Sequence, residues 1–309
     1  MYISVVIPFY NEADNIDPLF KELLPVLTAN FDRYKIICVD DGSRDQTVDK
    51  IQAIRADNPN ISLVKLSRNF GKDAALSAGI AHACGDALLI MDADLQHPPS
   101  VIPEFLEAFQ RGTDIVYGLR KSRAGDGRLR RYLSSRFYGV YSSIADVPIP
   151  ANAGDFRLMS RRAYEALQNL PENNRFMKGL YAWIGFSTCA VEFDVAERRV
   201  GASKWSIWKL LRYAWGGVVS FSSAPLRASS LIGFVIATLS AFYAVWIVGS
   251  TLIFGRDLPG YATLATSIFF LGGLQLLSIG ILGEYVSRIF EESKRRPPYI
   301  VESFDDSAP

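Results

Sequence analysis

Short apolar runs alternate with longer amphipathic stretches through the first 120 residues of the chain. The apolar runs are too short for helices and are rich in Val, Ile and Leu, which is typical of buried strands. The stretches between them carry apolar side chains at helical spacing. Strands that alternate with helices predict βαβ units and an α/β fold with a mainly parallel sheet. The predicted strands are residues 3–7, 34–39, 61–66, 87–91 and 114–117, with a later strand-like segment at 188–195.

Two long runs without any charged residue occupy the C-terminal third, at 229–254 and 258–283. Each exceeds the about 20 residues that a helix needs to cross a bilayer. Only Gly255, Arg256 and Asp257 separate them, so we expect a helical hairpin. Basic residues flank both outer ends, which predicts that both termini and the N-terminal domain are cytoplasmic. The alternative is a buried hairpin of a soluble domain, which two adjoining charge-free runs disfavour.

The segment at 205–215 alternates tryptophans with basic residues just before the first apolar run. This pattern is typical of a helix in the membrane interface, although a core helix with a solvated edge would share it. We therefore expect a multi-pass protein of the inner (plasma) membrane, with a tail that is disordered after Pro297. Its predicted parts are an N-terminal domain at 1–203, an interfacial region at 204–228, two membrane helices within 229–290 (about 229–254 and 258–283) and a cytosolic tail at 291–309.

Charge and cysteine content change this picture little. Lys plus Arg is 33 and Asp plus Glu is 32, so total charge indicates no partner, and we expect no nucleic acid to bind. The three cysteines fit no metal or redox spacing, which favours reduced thiols in a cytosolic compartment. The first residues lack a basic n-region, so we expect no signal peptide.

An acidic pair, Asp92 and Asp94, directly follows the fourth predicted strand. Two carboxylates at the end of a buried strand suit a hard divalent cation such as Mg²⁺ or Mn²⁺, which can also hold the phosphates of a nucleotide. A surface turn is the alternative, because turns are rich in Asp. Ligands of parallel sheets bind outside the carboxyl ends of the strands, where Pro8, Asp40 and Asp41 also lie. That shared position favours a nucleotide site.

Two further loops at strand ends carry residues that fit a nucleotide. The carboxylates of Asp40 and Asp41 can accept hydrogen bonds from a base and a ribose, or one of them can cap a helix beyond the turn at Gly42. Lys72 lies in the first turn of a predicted helix, where a cation is unfavourable unless an anion also binds there. An ordinary surface lysine is the alternative.

Basic residues concentrate in two segments. The segment at 120–136 holds seven Lys and Arg residues against one Asp, and the segment at 198–204 combines basic residues with a glycine and a serine. Each could hold a phosphate or anionic lipid head groups. The alternatives are a solvated helix face for the first and non-specific attachment to anionic lipid for the second. His82 and His97 lack partners at ligand spacing, and we interpret both as structural.

Six motifs occur in a fixed order before the two apolar runs: VVIPFYNE, VDDGS, RNFGK, DADLQHPP, GDFRLMSR and RRVGASKW. In this order the chain resembles the polyisoprenyl-phosphate glycosyltransferases. These are inverting, metal-dependent family-2 enzymes of the GT-A fold, and they include dolichol-phosphate mannose synthase and bactoprenol glucosyltransferases of the GtrB type. The motifs cover about the first 205 residues, and as a set they are specific.

The resemblance implies roles for individual residues. It also favours the functional interpretations of Lys72 and of the segment at 198–204 over their alternatives. Residues that would hold the nucleotide are Pro8, Tyr10, Glu12, Asp40, Asp41, Lys72, Asp92 and Ala93. Residues that would hold Mg²⁺ or Mn²⁺ are Asp92, Asp94 and Gln96. Residues that would hold the acceptor phosphate are Arg120, Arg131, Ser135, Arg198, Ser203 and Lys204. The expected catalytic residues are Asp94, Arg120 and Asp155, and Asp155 is either a base or an orienting group.

The expected reaction is the transfer of one hexose from a nucleotide sugar to undecaprenyl or another polyprenyl phosphate, with inversion, for cell-envelope glycosylation. The resemblance favours UDP-glucose as donor, while GDP-mannose and a UDP-aminoarabinose-type donor stay open. Two other hypotheses are a membrane-anchored protein that only binds nucleotide sugar or lipid phosphate, and a flippase. The nearly apolar runs could form a path for a flippase only in an oligomer. A homo-oligomer, such as a tetramer, stays open among the partners, beside the donor, the acceptor and the bilayer.

Overall fold

The structure of the chain is a computed structural model that describes residues 1–121, 150, 153–173, 175–194, 219, 222–254 and 260–306. Eight strands occur in this part of the chain: β1 (Tyr2–Phe9), β2 (Arg33–Asp40), β3 (Ile61–Leu66), β4 (Ala87–Ile90), β5 (Ile115–Arg120), β6 (Ala153–Ser160), β7 (Thr188–Phe193) and β8 (Val301–Asp305). They form one mixed sheet in the order β7-β5-β6-β4-β1-β2-β3-β8. The predicted mainly parallel α/β sheet is confirmed.

Four parallel strands form the centre of the sheet. β1 pairs with β4 on one side and with β2 on the other, and β3 continues the series. Helices cover both faces of these strands, so their sequences are nearly continuous apolar runs rather than alternating ones. Val5, Ile37 and Leu89 are fully buried examples. Because the four strands run in the same direction, their carboxyl ends share one edge of the sheet.

The helices pack in two layers around this sheet. The helices are α1 (Ala13–Asn30), α2 (Thr47–Asp57), α3 (Lys72–Ala81), α4 (Ile102–Gln110), α5 (Arg161–Gln168), α6 (Met177–Trp183), α7 (Ala224–Phe254) and α8 (Tyr261–Ser293), and a 3₁₀ turn at Pro99–Val101 precedes α4. Apolar residues of α1 and α4, such as Leu19 and Phe105, pack on one face of the sheet. Residues of α3, α5 and α6, such as Leu76, Leu167 and Leu180, pack on the other.

Two antiparallel strands, β6 and β8, were not expected from the sequence. β6 inserts between β4 and β5, and β8 pairs with the edge strand β3. The expectation that the tail after Pro297 is disordered is therefore wrong for Val301–Asp305. The residue after β8 is also fixed, because Asp306 Oδ1 lies 2.5 Å from Lys35 Nζ and accepts a hydrogen bond from Ser62 Oγ at 2.9 Å. The segment that follows α8 therefore packs back against the edge of the sheet.

The two longest helices, α7 and α8, meet the length and composition needed to cross a membrane. The qualifying windows are Ala224–Ser250, with a mean hydropathy of 2.3, and Thr266–Ser293, with a mean hydropathy of 1.7, and neither window is buried inside the protein. The backbone N–H of Asn173 donates to Glu292 Oε1 at 3.0 Å, which connects the end of α8 to the α/β part. The predicted connector at 255–257 and most of the predicted interfacial region lie outside the described residues, and the predicted domain limits stay predictions.

Candidate active site

The loops after β1 to β4 meet at the carboxyl edge of the sheet, and each contains a residue with a left-handed backbone. Glycine adopts this backbone conformation at little cost, whereas a residue with a bulky side chain, such as leucine, adopts it only under strain. Backbone strain of this kind concentrates at functional sites. The residues are Asn11 (φ 54°), Gly42 (φ 69°), Gly71 (φ 99°) and Leu95 (φ 58°).

The end of β1 and the loop after it contain three of the residues predicted to hold the nucleoside. The backbone N–H of Asn11 donates to Ser43 Oγ at 2.9 Å, so this loop is tied to the loop after β2. Pro8 belongs to the strand itself, Tyr10 is 37% exposed at the edge, and Glu12 immediately precedes α1. The three residues therefore lie at the predicted edge, on the end of β1 and on the loop that follows it.

Asp40 and Asp41, at the end of β2, are both buried and both engaged by the backbone. Asp41 accepts hydrogen bonds from the N–H of Phe70 at 2.7 Å and of Gly71 at 2.9 Å, so it fixes the loop that leads into α3. Asp40 accepts from the N–H of Ser43 at 3.2 Å. Burial raises the pKa of both carboxyls. Both carboxylates therefore fix the loops at this edge of the sheet through hydrogen bonds to the backbone. That they bind a nucleoside stays a prediction.

Asp92, Lys72 and Asp155 form the charged centre of this edge. β4 and β6 pair with Ile90 opposite Arg157, and continuing that register by two residues brings Asp92 opposite Asp155. Like charges opposite each other on neighbouring strands are destabilising. Lys72, the first residue of α3, resolves this conflict, because its Nζ lies 2.5 Å from Asp92 Oδ1 and 2.6 Å from Asp155 Oδ2.

Both carboxylates of this charged centre are held in the ionised form. Burial opposes ionisation of Asp155, but the positive charges of Lys72 and Lys178 outweigh it and hold the pKa of that carboxyl well below its usual range. Burial is likewise outweighed at Asp92, whose pKa is lowered, and at Lys72, whose pKa is raised. Asp155 Oδ1 is buried and has no hydrogen-bond partner among the described residues. Two ionised carboxylates thus contact the same lysine, and the acceptor capacity of Asp155 is not filled within the described part of the chain.

The predicted metal ligands lie on the open side of the loop after β4. Asp92, Asp94 and Gln96 are partly exposed, while the alternate residues Ala93 and Leu95 are buried. The N–H of Gln96 donates to Asp94 Oδ1 at 3.2 Å, as in an Asx turn. The alternation directs the three polar side chains away from the core. The backbone of Ala93, which is predicted to contact the nucleotide, belongs to the same loop.

His97 supports this loop from inside the protein. Its ring is buried and stacks on Phe156 with 5.0 Å between ring centres. Its Nδ1 accepts a hydrogen bond from the backbone N–H of Asp92 at 3.3 Å. Burial lowers the pKa of His97, which favours the neutral ring that this hydrogen bond requires. The interpretation of His97 as structural fits these contacts, and its structural task is to position Asp92.

Three residues that the sequence analysis did not single out lie beside the charged centre. Burial and the charge of Asp155 raise the pKa of Asp73 to about 7. Arg157 is 3% exposed, and its guanidinium carbon lies 4.2 Å from the ring centre of Tyr181. The period-two alternation within GDFRLMS could have revealed Arg157, since it puts Asp155 and Arg157 on one face of a strand. No sequence pattern marks Tyr181.

Arg120 is the one predicted acceptor-phosphate residue that lies among the described residues. It ends β5, and the pairing of Leu119 with Ala153 brings it to the end of β6 that carries Asp155. Its positive charge adds to burial in lowering the pKa of His97. Outside the described residues lie the predicted Arg131, Ser135, Arg198, Ser203 and Lys204.

Comparison with known proteins identifies the enzyme class of this site. The family model described as glycosyl transferase family 2 matches residues 4–168, which is more than half of the chain. The chain belongs to glycosyl transferase family 2. The matched residues contain β1 to β6 and therefore Lys72, Asp92 and Asp155. The predicted resemblance, the GT-A fold and the glycosyltransferase class are confirmed.

Relatives of this glycosyltransferase match it over almost its full length. It is 47% identical to an uncharacterized glycosyltransferase of Synechocystis sp., over 97% of this chain and 94% of that protein. It is 44% identical to the bactoprenol glucosyl transferase of Shigella phage SfV, over 98% of this chain and 99% of that protein. Among solved structures it is similar to a mannosyltransferase from Pyrobaculum calidifontis in complex with GDP-Man and Mn²⁺, at 17% identity, with a TM-score of 0.49, over 92% of this chain and 86% of that one.

The loop after β4 in this glycosyltransferase fits a hard divalent cation whose coordination is completed by a ligand. Within the described residues no three His, Cys, Asp or Glu side chains form a ready metal site. Asp92, Asp94 and Gln96 offer only oxygen ligands on the open side of the loop, which is the donor type that Mg²⁺ and Mn²⁺ prefer. Mg²⁺ in particular is usually held by one or two carboxylates together with substrate phosphates and water.

Proposed function

We propose that this glycosyltransferase transfers one hexose from UDP-glucose to a polyprenyl phosphate, with inversion at the anomeric carbon. The product would be a β-linked polyprenyl-phosphate-sugar for glycosylation of the cell envelope. The relative from Shigella phage SfV, which is named a bactoprenol glucosyl transferase, supports glucose as the sugar and a polyprenyl carrier as the acceptor. GDP-mannose and a UDP-aminoarabinose-type donor are the competing donors that a donor panel would separate.

The observation that carries the proposal is the cluster of Asp92, Lys72 and Asp155 at the carboxyl edge of the sheet. The helix dipole disfavours a positive charge at a helix N-terminus. A lysine held there between two carboxylates is therefore not expected to have a purely structural role. It is suited to a site that receives an anion and a metal ion together. A nucleotide sugar supplies the anion as its diphosphate.

Bringing two anions together is the main chemical difficulty of this transfer. The acceptor phosphate monoester has a second pKa of about 6, so at neutral pH it is largely dianionic and needs little deprotonation. Lys72 and Arg120 supply positive charge on the donor side and the acceptor side of the edge. A Mg²⁺ or Mn²⁺ ion bound by Asp92, Asp94 and Gln96 would neutralise charge on the leaving diphosphate. The residues of the chain contribute by positioning and by charge stabilisation.

Asp155 is proposed to orient groups rather than to act as a general base. A carboxylate whose pKa is held well below its usual range is a weak proton acceptor. Its contact with Lys72 instead fixes the lysine that faces the diphosphate. Two results together would restore Asp155 as the base. The Asp155→Asn enzyme would bind donor and acceptor normally but show no transfer, and the pH–rate profile of the wild type would follow a single deprotonation.

The two apolar helices are proposed to form a hairpin across the inner membrane, with the catalytic part and both termini in the cytoplasm. Their length, hydropathy and exposure support this arrangement. The basic segment at 198–204 and the tryptophans at 205–215 would then lie at the membrane surface, where the phosphate of a lipid acceptor is presented. Arg198, Ser203 and Lys204 are our proposed acceptor contacts there, with Arg131 and Ser135.

The proposal is tested by transfer of radiolabelled sugar from UDP-glucose to polyprenyl phosphate by the full-length protein in detergent. We expect a lipid-linked product with Mn²⁺ or Mg²⁺ and none after EDTA treatment, because the diphosphate would no longer be neutralised. Mass spectrometry of the lipid product from a panel of nucleotide sugars identifies the donor. Absence of transfer from every nucleotide sugar in both metals would contradict the proposal.

A further inference from the structure

Two buried tyrosines of the catalytic part differ in what their hydroxyl groups contact. Tyr164 and Tyr181 are 2% and 1% exposed. The Tyr164 hydroxyl donates to the carbonyl of Gly85 at 2.6 Å, as expected for a buried hydroxyl. The Tyr181 hydroxyl is buried and has no hydrogen-bond partner among the described residues. Leaving a buried polar group unsatisfied is costly, so Tyr181 requires an explanation.

The surroundings of Tyr181 connect it to the charged centre. Its ring lies against the guanidinium of Arg157, and the charge of Asp155 adds to burial in raising the pKa of its hydroxyl. Asp73 and Asp92 raise that pKa further. The hydroxyl is thus coupled electrostatically to the carboxylates that contact Lys72, and its ring contacts Arg157, which lies two residues from Asp155 on β6.

Two residues of β6, Asp155 and Arg157, add an unsatisfied acceptor and a buried positive charge at this place. Arg157 is almost fully buried but forms no ion pair with a carboxylate in the described part of the chain. Its Nε donates to the carbonyl of Gly154 at 3.3 Å, and its guanidinium also faces the ring of Tyr117. Asp155 Oδ1 is the unsatisfied acceptor described above. One hydroxyl and one carboxylate oxygen therefore remain to be satisfied among the described residues, and a buried guanidinium lies against the ring that carries the hydroxyl.

We propose that Tyr181, Arg157 and Asp155 Oδ1 form the subsite that reads the hexose hydroxyl groups of the donor. A sugar hydroxyl both donates and accepts, so it can bond to a carboxylate oxygen and to a tyrosine or arginine donor at the same time. The subsite adjoins Lys72 through Asp155, which puts the hexose next to the diphosphate that the proposed function assigns to Lys72 and Asp92. This inference rests on the proposed function for the identity of the donor.

A subsite of this kind discriminates by leaving its own groups unpaired when the wrong sugar binds. Sites built to hydrogen-bond a hydroxyl reject analogues that lack it much more strongly than apolar pockets reject a missing methylene. Ordered water that fills the space is the competing explanation, and it predicts no effect of Tyr181 on sugar recognition.

The test compares Tyr181→Phe with Tyr164→Phe in the full-length protein, by calorimetric titration with UDP and with UDP-glucose in Mn²⁺. For Tyr181→Phe we expect the affinity for UDP-glucose to fall about tenfold or more, while the affinity for UDP stays within about twofold of wild type. Its Tm should not fall, because no hydrogen bond is lost. For Tyr164→Phe we expect a lower Tm and an unchanged ratio of the two affinities, because only the bond to Gly85 is lost.

The subsite is overturned if Tyr181→Phe keeps the wild-type ratio of the two affinities, or if the wild type binds UDP-glucose no more tightly than UDP. Transfer to polyprenyl phosphate is measured on the same samples. A loss of the affinity ratio in Tyr181→Phe, with no transfer by any sample, would support the subsite and contradict the proposed acceptor. The two failures are therefore distinguishable.

Discussion

Two buried carboxylates, Asp114 just before β5 and Asp155 in β6, are paired with basic side chains in opposite ways. Asp114 accepts two hydrogen bonds from Arg162, at 2.5 and 2.7 Å. It accepts two more from the hydroxyls of Ser160, at 2.9 Å, and Ser187, at 2.8 Å. Asp155 shares a single lysine with Asp92 and keeps one buried oxygen without a partner in the described residues.

We interpret the first arrangement as one that completes the fold and the second as one that a bound ligand completes. Asp114 joins the start of β5 to α5 and to the residue before β7, and its hydrogen-bonding capacity is used up within the chain. Buried polar networks stabilise a fold when every member is satisfied and are costly when they are not. We propose that a metal ion together with the diphosphate and sugar of a donor completes the network around Asp155.

The largest effect should come from removing the shared cation with Lys72→Met. Transfer should fall by about 100-fold or more, because a charge aimed at the leaving diphosphate is lost. Radiolabel transfer at saturating acceptor measures this, with Lys65→Met as the matched control, since Lys65 pairs with Glu302 on the exposed edge. Equal loss in both variants, or none in Lys72→Met, would remove the distinction between the two kinds of contact.

A smaller effect, on stability, should follow from Asp114→Asn and not from Asp155→Asn. Breaking charge-assisted hydrogen bonds to a buried carboxylate should lower the free energy of unfolding by about 2 kcal/mol in Asp114→Asn. Asp155→Asn removes one of two carboxylates that repel each other, so its stability should change less, while its transfer activity falls. Thermal unfolding and transfer by the remaining folded enzyme measure the two quantities. The comparison fails if Asp155→Asn is the less stable variant.

The smallest and most gradual effect concerns pH. The hydrogen bonds from Arg162 lower the pKa of Asp114 to about 2 in the folded protein. The unfolded chain binds this proton at a higher pH, so the stabilisation is complete above about pH 4 and is lost as the pH falls towards 2. The difference in Tm between wild type and Asp114→Asn should therefore shrink over that interval. A constant difference would show that ionisation of Asp114 contributes nothing to the pair.

Much of this contrast was visible in the sequence, but its geometry was not. The strands β1 to β4 were predictable because burial on both faces makes them continuous apolar runs. β6 was missed because its polar residues resemble a loop and its pairing is non-local, and β8 because its side chains are mostly exposed and its partner strand lies far away in sequence. Strand preference depends on such neighbours more than on the residues themselves.

The candidate site follows the same rule. Lys72, Asp92 and Asp155 were each recognisable from a local motif, yet their contact depends on the antiparallel register of β4 and β6, which no motif encodes. Arg157 and Tyr181 were missed because a buried arginine and a helical tyrosine look like ordinary core residues until their mutual contact and the unsatisfied Tyr181 hydroxyl are seen.

The most direct test of the account is the metal dependence of UDP-glucose binding by the full-length protein, measured by titration calorimetry with Mn²⁺ and after EDTA treatment. Wild type and Asp114→Asn should bind equally well with Mn²⁺ and lose most of their affinity without it. Asp92→Asn should bind at least about tenfold more weakly even with Mn²⁺, because the charged centre can no longer hold the ion and the diphosphate together. Binding by Asp92→Asn that equals wild type, or wild-type binding that is unaffected by EDTA, would contradict the assignment of this edge of the sheet as the donor site.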